Sequence, residues 1–163
     1  MTTPNIPKAY LPVYDFTLDG EKKFESLLTD LSSLGQAFVF KVWDWDGFEY
    51  QHSVDAEITP SANPQGSATI ELRVAKKYQG RTNSEALQAI GYKRSIPTSP
   101  FWTRVMLGRV ASSALANHAL AGIKFAADFK SNSGFKVVAP SNQTQASLDQ
   151  IVNSHNWWGA PSY

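Results

Sequence analysis

One helical stripe and three alternating stretches organise the first half of the chain. Phe24, Leu27, Leu28, Leu31 and Leu34 fall at i, i+3, i+4, i+7 and i+10, the single apolar face of an amphipathic helix. That spacing predicts a helix from about Asp19 to Leu34, with Asp19 as N-cap, Glu21 near the positive end of the dipole and Gly35 as the C′ stop. Residues 37–46 and 48–59 then flank Asp46-Gly47, a strong hairpin signal because a type I′ turn needs positive φ at both central residues. The second of these runs alternates throughout. Phe48, Tyr50, His52, Val54, Ala56 and Ile58 share one face, and Glu49, Gln51, Ser53, Asp55, Glu57 and Thr59 the other. Residues 68–77 alternate again through Ala68, Ile70, Leu72 and Val74, after a 60–67 loop carrying two prolines and a glycine. This is the pattern of an antiparallel meander with one wet face.

A two-residue turn pairs Trp45 with Phe48, Trp43 with Tyr50, Lys41 with His52 and Val39 with Val54. The opposite face then sets Phe38, Phe40 and Val42 beside Asp55, Ser53 and Gln51, so the first strand is apolar on both sides. Two covers would serve its second face: the preceding helix, or a partner subunit. On the second alternative Phe38, Phe40 and Val42 are oligomer-interface residues.

Residues 78–98 carry no single period: 83–90 suits a short helix, and 89–96 suits a strand leading into Pro97. Ser99 as N-cap and Pro100 at N1 predict a long helix over 100–128. Its middle is crowded with small residues, Gly108, Ala111, Ser112, Ser113, Ala114, Ala116, Ala119, Ala121 and Gly122, which let backbones approach closely. Gly122 is expected to bend or end it, at about 1 kcal/mol relative to Ala. A short strand at 135–139 follows, and Pro140 and Ser141 introduce a last helix at about 143–155, striped by Leu148, Ile151, Val152 and His155. Residues 1–18, with prolines at 4, 7 and 12, read as an extended arm whose 10–16 run is an edge strand or strap. Residues 156–163 read as an aromatic tail whose Trp157 and Trp158 meet a neighbouring copy. The expected fold is a single α+β domain: an antiparallel meander of three to four strands, including 37–45, 48–59 and 68–77, packed with an N-terminal helix, a long small-residue-rich central helix and a C-terminal helix.

Composition narrows the function. Of 163 residues, 42% are hydrophobic and 12% aromatic, as in folded globular chains. Zero cysteines exclude disulfides, thiolate zinc sites and a cysteine nucleophile. Met1 to Tyr14 lacks the apolar core of a signal peptide. The longest apolar stretch, 119–127, is broken by Lys124 and falls short of the roughly 20 residues that span a bilayer. No membrane partner is expected, and the virion or the host cytoplasm is the expected location.

Charge adds the functional lead. Residues 15–57 hold ten acids against three lysines, a balance of −7; residues 73–127 hold nine bases against Glu85 alone, a balance of +8. The whole-chain value of +1 hides both. Such a split implies a polyanion partner for the basic part, or an acidic face of one copy meeting a basic face of the next. The basic candidates are Arg73, Lys76, Lys77, Arg81, Lys93, Arg94, Arg104 and Arg109, with Tyr92 and Trp102 among them, a mixture that suits phosphate contact plus base stacking. Arg73 has a competing use, pairing across the sheet with Asp55 or Glu57.

No reaction is legible. There is no phosphate-binding G-x-x-x-x-G-K-[ST] or G-x-G-x-x-G, no G-x-S-x-G elbow and no H-E-x-x-H pair. His52, His118 and His155 lack metal-ligand spacing and read as satisfied core or interface histidines. Asp44, Asp46 and Glu49 look like a carboxylate clasp on paper, but a turn residue with solvated neighbours accounts for them. The Asn142-Gln143-Thr144 sequon reads as chance. No cofactor or metal is expected.

Two loose resemblances add expectations. Residues 67–123, amphipathic strands leading through Ser95-Ile-Pro-Thr-Ser-Pro100 into an alanine-rich helix, resemble the sheet-then-helix plan of small RNA-phage coat proteins. Residues 37–128, a meander followed by a helix with Gly108, Ser112, Ala116, Gly122 and Asp128, resemble ring-forming single-strand annealing proteins. The expected function is a non-enzymatic, self-assembling structural protein, a viral or phage coat or other virion subunit with a nucleic-acid-facing basic surface. Its partners are then other copies of itself and RNA or single-stranded DNA. The alternatives are a single-strand nucleic-acid-binding protein that forms rings, and a small protein inhibitor.

Overall fold

The structure, a computed structural model, describes residues 11–13, 18–45, 50–61, 66–76, 80–108, 110–127, 133–140 and 145–155. In chain order the elements are β1 (Leu11–Val13), α1 (Leu18–Ser32), β2 (Phe38–Trp45), β3 (Tyr50–Thr59), β4 (Ser67–Val74), α2 (Arg81–Ala89), β5 (Phe101–Leu107), α3 (Ser112–Ala127), β6 (Ser133–Val138) and α4 (Gln145–Ser154). The strands form one six-stranded sheet in the order β1-β6-β2-β3-β4-β5, every neighbouring pair antiparallel. The fold is α+β, and the sheet is wider than the expected three to four strands because β6, β1 and β5 extend the meander on both sides. β1 carries Pro12 and is an edge strand, where a missing N–H costs no ladder bond.

The apolar conflict of the first strand is resolved by a β-bulge. Trp43 pairs with His52, and Val42 pairs with Val54, so Ser53 is one residue too many on β3. Beyond that point Phe40 opposes Ala56 and Phe38 opposes Ile58. The bulge therefore turns Phe38, Phe40 and Val42 to the same side as Val54, Ala56 and Ile58, and all six are fully buried. Their cover is the chain's own α1. Phe24 meets Phe40 edge-on with ring centroids 4.8 Å apart and Phe135 at 5.5 Å, while Phe40 and Phe135 stack at 4.8 Å. The interface role expected of Phe38, Phe40 and Val42 is replaced by this core role. His52 moves too: it stands on the opposite face from Val54, with Nε2 2.6 Å from Asp55 Oδ1. Trp45 pairs with Tyr50 and not with Phe48, which corrects the register expected of a turn at Asp46-Gly47; residues 46–49 themselves lie outside the described residues.

The helices lie on the sheet's inner face. The α1 stripe of Phe24, Leu27, Leu28 and Leu31 is fully buried, and the helix stops before Gly35 at φ 71, a conformation glycine adopts without strain. Asp19 falls inside α1, whose first residue is Leu18. α3 packs between α1 and α2 and over β3 and β4, presenting Leu115, Ala116, Ala119, Ile123 and Ala126 as a buried row. Its small residues permit the close approach expected of them. An added Cβ on Gly122 would stand 2.5 Å from Tyr92 Oη and 2.9 Å from Leu72 Cδ1, so this glycine is a contact point, and α3 does not end at it but runs on to Ala127. α4 closes the core with Leu148 and Val152. It is tied to α1 by His155 Nε2, 2.6 Å from Asp30 Oδ2.

The predicted helix over 100–128 is corrected at its first third. Residues 101–107 form β5, paired with β4 from Arg73↔Phe101 to Ser67↔Leu107, and the helix begins only at Ser112. Pro100 serves the strand: its carbonyl accepts from Val74 N at 2.9 Å. Gly108, at φ 80, ends β5 and donates its N–H to Gly66 O at 2.9 Å.

Candidate nucleic-acid interface

The free margin of the sheet is where the basic residues gather. α2 ends at Ala89, and the chain turns through Gly91, at φ 96, to run beside β5. Lys93 and Thr103 exchange both backbone bonds, at 2.9 and 2.7 Å. Tyr92 turns inward, 1% exposed, and its hydroxyl donates to the His118 carbonyl of α3 at 2.8 Å. Burial raises the Tyr92 pKa well above its ordinary value, opposed by the nearby Arg104 charge. Burial, reinforced by Arg104, lowers that of His118. Both groups are thus held neutral near pH 7, and Tyr92 is held as a donor.

Lys93 and Arg94 emerge on either side of this anchored backbone. Lys93 is exposed and stands beside Thr103 on the outer face. The Arg94 guanidinium carbon lies 4.6 Å from the centroid of the buried Trp102 ring, a cation–π contact that fixes the side chain without neutralising it. Arg104 lies below. Its register partner is Ile70 on the inner face, its Nη1 donates to Ile90 O at 2.9 Å, and its buried Nε has no hydrogen-bond partner. The guanidinium sits over Gly91, where an added Cβ would be 1.6 Å from Nη1. Arg104 therefore serves first as the cap of the α2 C-terminus, where a cation is favoured. Gln88, Gly91, Tyr92, Lys93 and Arg94 line a cleft of about 380 Å3 at this corner. Among the described residues, none of Lys93, Arg94 and Arg104 makes an ion pair.

The other expected basic residues scatter. Arg73 is exposed on the outer face, opposite Asp55 in register, with its guanidinium carbon 6.0 Å from the Phe101 ring centroid. Lys76 is exposed just past β4. Arg81 opens α2 with its side chain outside the description, and Lys77 and Arg109 lie outside the described residues, as do Trp157 and Trp158. Asp46 and Glu49 of the paper clasp are also outside them. Among the described residues no histidine and carboxylate cluster is placed to hold a metal ion, and no helix is long and apolar enough to cross a membrane.

The exposed apolar side chains of β5 were missed from sequence. Phe101 is 42% exposed, Val105 55% and Leu107 85%, all on the outer face, while Trp102 of the same strand is buried. Reading 100–128 as a helix hid them. The signal available was the β-branched and aromatic content of Phe101-Trp-Thr-Arg-Val105. The chain matches no family model, no curated protein and no solved structure.

Proposed function

We propose that this chain is a non-enzymatic, self-assembling structural protein, of the kind that forms a virion shell, and that it presents a basic corner to nucleic acid. The observation that carries the reading is the condition of β5. It is the last strand of the sheet, and in an antiparallel ladder alternate residues turn their backbone groups to the outer edge. Thr103 is edge-facing and bonds to Lys93, so Val105 and Leu107 share that parity, and no described strand lies beyond them. Their side chains are also the most exposed large apolar groups on the outer face. Monomeric proteins blunt such edges with lysine, proline, bulges or a covering element. Here Pro97 and Pro100 lie before the strand, and the Lys93 bridge shields only its first half. A second copy pairing at Val105 and Leu107 supplies both the missing ladder bonds and an apolar neighbour.

Light scattering after size exclusion, on the full chain at tens of micromolar, tests the reading. The wild type runs as a multiple of the 18.0 kDa chain, and Leu107→Lys shifts it to the single-chain mass with an unchanged circular dichroism spectrum. A wild type that is monomeric under these conditions contradicts the proposal.

A further inference from the structure

The corner where β5 meets residues 92–94 has the parts of a nucleotide subsite, and we infer that it holds one unit of a single-stranded polynucleotide, the phosphate on Lys93 and Arg94 and the base on Phe101. This inference rests on the nucleic-acid part of the proposed function and gives it a location.

Three observations converge there. Lys93 and Thr103 are register partners, so Phe101, two residues along β5, is the diagonal neighbour of Lys93, with the two at roughly 7–8 Å. A cation and an exposed aromatic ring at that separation on one face suit a phosphate and the base attached to it. The backbone beneath them is held by the double Lys93–Thr103 bridge, by Phe101 N donating to Ser99 Oγ at 3.1 Å, and by Tyr92 anchored to α3. The site is therefore preformed, and little ordering cost falls on binding. Lys93 and Arg94 bring two positive charges to one cleft with no described carboxylate paired to them, and a polyanion supplies the missing countercharge.

The pairing of roles favours one occupant on chemical grounds. A free phosphate uses the cations and leaves Phe101 idle. An apolar partner segment uses Phe101 and leaves Lys93 and Arg94 uncompensated. Single-stranded nucleic acid uses both, because every base offers a π-face and every link a charge. Glu57 and Glu71, opposed in register on the neighbouring strands, bound the site on the sheet side.

Fluorescence anisotropy with a short oligouridylate, a short oligothymidylate and inorganic polyphosphate, each across a salt series, separates the roles. Lys93→Gln is expected to flatten the slope of log affinity against log salt by about 0.7 for the oligonucleotides, with Lys22→Gln on α1 leaving it unchanged. Phe101→Leu is expected to weaken oligonucleotide binding about tenfold at every salt concentration, with the slope intact and polyphosphate binding unaffected. RNA and DNA arms that respond alike mark a sugar-tolerant site, and a response in one arm alone identifies the polymer. No oligonucleotide binding at low salt, a Lys93→Gln slope equal to wild type, or a Phe101→Leu affinity equal to wild type overturns the inference. Particle mass measured on the same samples keeps the two claims apart: assembly without binding removes this site alone, and binding without assembly removes the shell reading alone.

Discussion

Ser53 Oγ donates to the Val42 carbonyl oxygen at 3.0 Å across the bulge that joins β2 to β3. The hydroxyl is fully buried, and Ser53 O in turn accepts from Ala75 N at 2.8 Å. The extra residue is thus bonded on both sides, and it sets which face of β2 is the core face. Ser53→Ala leaves the buried Val42 carbonyl without this donor and is expected to cost about 1–3 kcal/mol, read as a lower urea midpoint at unchanged m-value. Deleting Ser53 makes Trp43↔His52 and Val42↔Val54 consecutive pairs and leaves Phe40 opposite Ala56 and Phe38 opposite Ile58, so the expected outcome is a transition that stays cooperative at a lower urea midpoint, the Ser53 bonds to Val42 and Ala75 being lost.

Gly122→Ala sets two effects against each other. Helix propensity favours the alanine by about 1 kcal/mol, while its Cβ would fall 2.5 Å from Tyr92 Oη and 2.6 Å from Tyr92 Cζ. Overpacking of a buried ring costs about 1–3 kcal/mol and outweighs propensity. Chemical denaturation should therefore show net destabilisation; a gain in stability would mean that Tyr92 does not press on α3.

Gly91→Ala introduces a side chain at φ 96 and collides with the Arg104 guanidinium. Backbone strain alone is about 1–2 kcal/mol, and the Arg104–Ile90 bond is lost as well. Replacing Arg104 with methionine in the same chain removes the collision. A double-mutant cycle should therefore find the pair less damaging than the sum of the single changes.

Alkaline pH tests the burial of Tyr92. Its folded pKa is raised above the unfolded value of about 10. The contribution is present in full below pH 10, and it is lost as pH rises above 10, because the unfolded chain then releases a proton that the folded chain keeps. Between pH 9 and 11, wild-type stability should fall more steeply than that of Tyr92→Phe. Equal slopes would place the hydroxyl in water.

The elements that repeat one period were legible in sequence. The α1 stripe and the alternation of β3 and β4 place those elements within a few residues of their observed ends, because one face of each is wholly apolar. What escaped was decided by single residues or by the partner face. Nothing in the alternation of β3 marks Ser53 as surplus, since a bulge leaves the composition of the strand unchanged. β5 escaped because its inner face mixes Trp102, Arg104 and Met106 and its outer face mixes Phe101, Thr103, Val105 and Leu107, so no period of two survives; Ser99-Pro100 then imitates a helix start. The charge split located the cleft only to a segment. It was the turn at Gly91 and the Lys93–Thr103 bridge that brought Lys93 and Arg94 to one cleft and Lys93 to the face that Phe101 shares with its register partner Arg73, while Lys76 falls just past β4.

Amide hydrogen exchange at Val105 and Leu107, compared at low and high protein concentration, tests assembly through the β5 edge most directly. In the single chain these two N–H groups face outward and exchange fast. Pairing with a second copy should protect both as concentration rises, while protection in β2 and β3 stays constant. Fast exchange at both positions in samples already shown to be oligomeric would contradict assembly through this edge.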